Sequence, residues 1–180
     1  MTIAQRLYVL IGAASLGLIV IAGLNMYQMG KVYEAANWSN VNVVPSMVIL
    51  DKAVSESGKL RVFVLRYAVN TDPGKIAGLE TKVNDADAGL TKALKSYEVD
   101  GCGGVTCFSD DKDRALMAAD KAAYEAYHSG VVLVMDAARR HENDKAIELF
   151  SKNAANAEAL GKVLDDHMQY NVEITSVRLN

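Results

Sequence analysis

Residues 71–97 read TDPGKIAGLETKVNDADAGLTKALKSY. Ile76, Leu79, Val83, Ala86, Leu90, Ala93 and Tyr97 recur at alternating steps of three and four without a miss. That is the seam of a helix packed along its whole length against others. Asp72 and Pro73 mark its start, because an aspartate oxygen can accept from the free amides of a first turn and proline has no amide to leave unsatisfied there. The chain holds only 2 prolines in 180 residues and is rich in side chains that lose little freedom in a helix.

The same spacing predicts helices over about 28–71, 73–97, 110–140 and 144–180. The first has a seam of Val43, Met47, Leu50, Val54, Ser57, Arg61, Val64 and Ala68, with a break or bend near Pro45. The third has Leu116, Ala119, Ala123, Ala126, Gly130, Leu133 and Ala137, opens on a capping Ser109 followed by aspartates, and closes on Arg139, Arg140 and His141. The fourth presents Ile147, Phe150, Ala154, Ala157, Leu164 and Met168 on one face. Long helices joined by short loops predict an all-α, up-down-up-down antiparallel four-helix bundle.

Residues 7–27, LYVLIGAASLGLIVIAGLNMY, carry no charge. At about 1.5 Å per residue they match a hydrocarbon core of roughly 30 Å. A cleaved signal peptide would have an apolar region of only about 7 to 15 residues. The first bundle helix is therefore expected to continue from a transmembrane helix. Arg6 places residues 1–6 in the cytoplasm and residues 28–180 in the periplasm, outside the inner (plasma) membrane. Cys102 and Cys107, in the run DGCGGVTC, fit a short-loop disulfide of an oxidising compartment. Zinc would want a second ligand pair, and redox catalysis favours C-x-x-C. The fourth helix returns toward the membrane, so it either stops there or leads to a second span beyond Asn180.

The formal charge of -3, from 19 basic and 22 acidic residues, argues against nucleic acid as a partner. His128, His141 and His167 are scattered and no serine or cysteine has a nucleophile's setting, so no enzyme and no cofactor are expected. Glu125 and His128 form an E-x-x-H, but a di-iron bundle needs a second copy and two more glutamates. The aspartates at 110–113 lack the glycine and terminal glutamate of a calcium loop, and C-x-x-C-H for haem is missing. Arg61 is the anomaly, a cation in an apolar seam. Arg66 follows five residues later, about 140° beyond a full turn, so the two leave one helix on different sides. Two copies paired along their first helices would bring Arg61 of one and Arg66 of the other to a shared anion. The plainer alternative has Arg66 solvated and Arg61 snorkelling or paired with an acid.

The order of features resembles a known family: a short basic start, an uncleaved anchor, LRVFVLR (residues 60–66) late in the first helix, then TDP (residues 71–73) opening the second. It is similar to the four-helix-bundle sensor domain of bacterial methyl-accepting chemotaxis proteins, a bundle that sensor histidine kinases also carry. The resemblance implies a homodimer, or a higher oligomer, that binds a small molecule at the membrane-distal end between first helices. Arg61 and Arg66 match the family's arginine pair in spacing. Asn70 stands where amino-acid receptors often carry a further basic residue. Ser151, Lys152 and Asn153 match the contribution of the fourth helix, and Tyr67, Tyr127, His128 and Arg139 fall at the same end. The implied ligand is a small organic acid, such as a tricarboxylic-acid-cycle or an aromatic acid. Cytoplasmic signalling proteins would be engaged only through a region outside these residues. A histidine kinase sensor, or an interaction bundle without a small ligand, is the alternative.

Overall fold

A computed structural model describes residues 2–179. Its first helix, α1 (Ile3–Trp38), passes through a π-helical segment, Ser39–Val43, directly into α2 (Val44–Ala68). The whole rod has 66 residues, or about 100 Å. Pro45 does not break it. Proline has no N–H for the carbonyl four residues back and its ring crowds that group. The chain widens instead just before Pro45, where the Val44 amide bonds the Ser39 carbonyl, five residues back. The extra residue turns both Asn42 and Val43 inward.

After the turn, Asp72 accepts from the Gly74 amide at 3.0 Å and a 3-10 turn, Pro73–Lys75, leads into α3 (Ile76–Val99). The chain then forms α4 (Asp111–Arg139), α5 (Asn143–Lys152) and α6 (Ala154–Leu179). The result is the expected up-down-up-down all-α bundle. The predicted α3 seam is real: Val83, Ala86, Leu90, Ala93 and Tyr97 are buried, with Ile76 and Leu79 half-buried.

Three expectations require correction. Arg61 is exposed: the buried residues along this stretch are Val43, Ser46, Leu50, Ala53, Leu60, Val64, Tyr67 and Ala68, so the expected Val43, Leu50, Val64 and Ala68 do face inward while Leu60 takes the inward place assigned to Arg61. In α4 the buried stripe is Asp113, Met117, Asp120, Tyr127, Val131 and Val134, while Ala119, Ala126 and Leu133 face outward. Asp113 and Asp120, outside the expected seam, hold core positions, and the inward face is rotated by about one residue, or 100°. The cap of α4 is accordingly Asp110, whose carboxylate accepts from the Asp113 amide at 2.9 Å, and not Ser109.

The fourth bundle helix is two helices, separated at Asn153. The Asn153 side chain is buried and donates to the Tyr127 carbonyl of α4 at 2.9 Å. Gly130 makes room for it, since a Cβ there would lie 2.2 Å from Asn153. Ala146, Asn153, Ala157, Leu160, Leu164, His167 and Asn171 form the inward face, and Ile147 is largely exposed.

The observed register gives a direct check. Leu90→Ala should cost about 2–5 kcal/mol of stability, and Leu133→Ala, at a position periodicity assigns to the core but the fold leaves open, under about 0.5 kcal/mol. Denaturant unfolding of the two variants, followed by circular dichroism, separates the two registers.

Candidate functional site

The membrane-distal end is where α2 finishes and α4 gives way to α5. Late in α2, Arg61 and Arg66 are both exposed, and neither has a hydrogen-bond or ion-pair partner among the described residues. Arg66 has only the Phe63 ring, 6.0 Å from its guanidinium carbon. Val62, Leu65 and Val69 lie exposed within the sector of about 140° between the two arginines. They continue a stripe that begins with Val41, Val44 and Val48, all at least half exposed. Asp51, Ser55 and Gly58 fill the intervening steps, so the stripe keeps a heptad spacing down the outer face of α2. Two cations without partners thus flank an apolar seam that has none either.

Of the other sequence-derived candidates, all have partners inside the bundle except the Tyr67 and Tyr127 hydroxyls, which are buried with no hydrogen-bond partner among the described residues. Tyr67 is buried beside the Glu80 and Arg139 pair, and burial raises its hydroxyl pKa. Arg139 bonds Glu80 (Nε to Oε1, 3.1 Å) and Asp136 (2.9 Å), which raises its pKa further. Tyr127 is buried, its hydroxyl has no hydrogen-bond partner among the described residues, and burial pushes its pKa up to about 12 against the opposing field of Arg61. His128 pairs with Asp87 of α3 at 3.0 Å, in a group with Tyr124 and Thr91. Asn70 stabilises the α2–α3 turn through the Asp72 carbonyl at 2.8 Å and receives Asn143 on its own carbonyl at 2.8 Å. Ser151 bonds back to Ile147, Lys152 pairs with Glu148, and Asn153 faces α4. The fold therefore leaves Arg61 and Arg66 as the two members of the set free to receive a ligand.

Clefts exist on other faces. One of about 420 Å³ lies between α3 and α4, lined by Leu94, Lys95, Glu98, Lys121, Tyr124 and Glu125. Lys121 and Glu98 close a salt bridge across it at 3.0 Å. A second, of about 330 Å³, lies beside the α5–α6 break, among Ser129, Gly130, Leu133, Lys152, Asn153 and Asn156. Arg61 and Arg66 line neither.

Sequence reasoning missed a polar cluster in the membrane-proximal half. His167 of α6 is fully buried, with Nδ1 2.5 Å from Asp120 Oδ2 and Nε2 2.7 Å from Asp113 Oδ1. Asp113 also accepts from the Tyr97 hydroxyl at 2.7 Å and the Ser109 amide at 2.8 Å. Asn171 donates to Tyr97 at 3.0 Å, and Ser46 of α2 donates toward Asn171 at 2.8 Å. Burial opposes the charge on His167, but its bonds to the two carboxylates outweigh this and raise its pKa. Burial raises that of Asp120 despite the imidazole beside it. The available signal was spacing: Asp113 and Asp120 are seven residues apart, as are the core positions Tyr127 and Val134 that continue their stripe.

A loop closes over this cluster. Cys102 and Cys107 are joined as a disulfide, the Cys107 amide donates to the Tyr97 carbonyl at 2.9 Å, and Asn42 Nδ2 donates to the Cys107 carbonyl at 3.1 Å. Asn42 Oδ1 in turn accepts from Ser109 Oγ at 3.0 Å. The π-helical turn that brings Asn42 inward is thus what ties the loop to the rod.

The chain is thus a four-helix bundle carried on a helix long and apolar enough to cross a membrane. The chain belongs to the family of four-helix-bundle sensory modules for signal transduction, whose family model matches residues 1–176. No curated protein and no solved structure shows a significant match.

The buried cluster carries its own check. Asp113→Ala strips His167, Tyr97 and the Ser109 amide of their common acceptor and should cost about 3–5 kcal/mol, as expected when one partner of a buried ion pair is removed. A loss below about 1 kcal/mol in urea unfolding would show that the cluster does not hold the fold.

Proposed function

We propose that this chain is the sensor part of a transmembrane chemotaxis receptor that binds a small organic anion between the α2 helices of a homodimer. The observation that carries the reading is the pair of unpartnered guanidiniums on the two edges of an exposed apolar heptad stripe. A second copy laid antisymmetrically on that stripe buries Val62, Leu65 and Val69 and brings Arg61 of one protomer toward Arg66 of the other. Planar guanidiniums suit a carboxylate, which they can bind through two parallel bonds. A di- or tricarboxylate would also neutralise the repulsion between arginines that pairing creates, so ligand and dimer support each other. The Arg6 side of the anchor is then cytoplasmic and the bundle periplasmic, in the inner membrane. Signal transmission requires only that the ligand bind two arrangements of the dimer with different affinity.

A thermal-shift screen of carboxylates on the detergent-solubilised chain tests this. At least one small di- or tricarboxylate should raise the melting temperature of wild type, and Arg61→Ala or Arg66→Ala should weaken its binding roughly tenfold to hundredfold, the loss of one charge-assisted contact. The absence of any response in a broad screen would reject the ligand reading. Leu65→Glu should shift the protein toward monomer in analytical ultracentrifugation. If the arginine variants alter assembly without altering any small-molecule response, the bundle is an interaction module instead.

A further inference from the structure

The arginines lie at the far end of α2, whereas His167, Asp113 and Asp120 lie at the end of the bundle near the membrane rod, and an anion at the first site needs nothing from the second. We propose that the Asp113–His167–Asp120 cluster is a proton-binding site that holds α6 in register against α4, so that alkaline surroundings act on the sensor as an input separate from its organic ligand.

The geometry distinguishes the two carboxylates. Asp113 is fully supplied with donors: imidazole Nε2 at 2.7 Å, the Tyr97 hydroxyl at 2.7 Å and the Ser109 amide at 2.8 Å. Asp120 has imidazole Nδ1 at 2.5 Å, and its other oxygen, Oδ1, is buried with no partner among the described residues. Both ring nitrogens therefore face carboxylate oxygens. Only the imidazolium, with two N–H groups, can donate to both. When His167 loses its proton, one nitrogen turns a lone pair toward a carboxylate, and the cluster goes from one net negative charge to two while buried from solvent. The facing groups are Asp113 and Asp120 from α4, Tyr97 from α3, Ser46 from α2 and Asn171 from α6 itself. Among the described residues this set contains no other cation, so nothing replaces the lost charge.

The direction of the pH effect follows. His167 and Asp120 both have folded pKa values above their ordinary ones, so at these two groups the folded state holds protons more tightly than the unfolded one and their contribution to stability falls as pH rises. The contribution of His167 is complete below its ordinary value of 6.5 and is lost as pH rises through its raised one. Asp120 adds a loss of the same sign from 3.8 upward. What is loosened is α6: His167 and Asn171, one turn apart, carry its fully buried polar bonds to α4, α3 and α2 in this half of the bundle, and the Tyr170 hydroxyl, donating to Asp110 at the α4 cap, remains as a tie at its edge.

The test uses the full chain in lipid nanodiscs, with the native disulfide oxidised and spin labels at Ala115→Cys of α4 and Asp165→Cys of α6, both exposed. Between pH 6 and pH 9 the interlabel distance distribution of the otherwise wild-type protein should shift or broaden, and its melting temperature should fall by at least about 3 °C. Asp120→Asn is the control variant. Its amide can donate to an unprotonated Nδ1 while Nε2–H still serves Asp113, so it should keep the pH 6 distribution at both values. His167→Gln should be insensitive to pH. An unchanged distribution in the wild-type background, or a transition that persists in Asp120→Asn, would overturn the proposal. Arg61→Ala should retain the pH transition, so the two readings fail independently.

Discussion

An imidazole closed between two aspartates, with none of the three side chains touching solvent, constrains everything around it in the lower half of this bundle. Such a group is tolerated only if every neighbour is placed to satisfy it, because an uncompensated buried charge costs several kcal/mol. Four elements converge to meet that demand: α4 with two aspartates, α3 with Tyr97, α6 with His167 and Asn171, and α2 with Ser46. Apolar side chains can slide past one another at little cost, whereas these bonds cannot. They fix the rotation of α4 and the axial position of α6 together.

The upper half is organised differently. Its core is apolar with two buried tyrosines, and its polar pairs, Glu80–Arg139 and Asp87–His128, lie across the α3–α4 side. The break at Asn153 lets the amide side chain replace a stretch of helix packing with a bond to the α4 backbone. On α2 at that end, the apolar stripe and the two arginines face outward without partners among the described residues. The proposed receptor would have a lower half tied by buried polar bonds and an upper surface on α2 that a second copy and an anion complete.

The sequence alone determined the helical class, the apolar first segment long enough to cross a membrane and the α3 seam, because each of these is a local pattern of periodicity, length or capping. It also singled out Arg61 and Arg66, though for a reason that did not survive. Arg61 was noted as a cation in a buried seam, yet it is solvent-facing and its interest is that nothing pairs with it. The register of α4 was decided only in three dimensions. Hydrophobic periodicity assigns polar residues to the outside, so the buried places of Asp113, Asp120, His167, Ser46 and Asn171 escaped it, whereas Val43, Leu50, Val64 and Ala68 of the first helix and Ala157 and Leu164 of the last face inward as expected. The π-helical turn at Ser39–Val43 and the helix break at Asn153 were likewise beyond reach. Both depend on partners more than 20 residues away, Cys107 for Asn42 and Tyr127 for Asn153, and local propensity carries no information about a bond whose other half is on another helix.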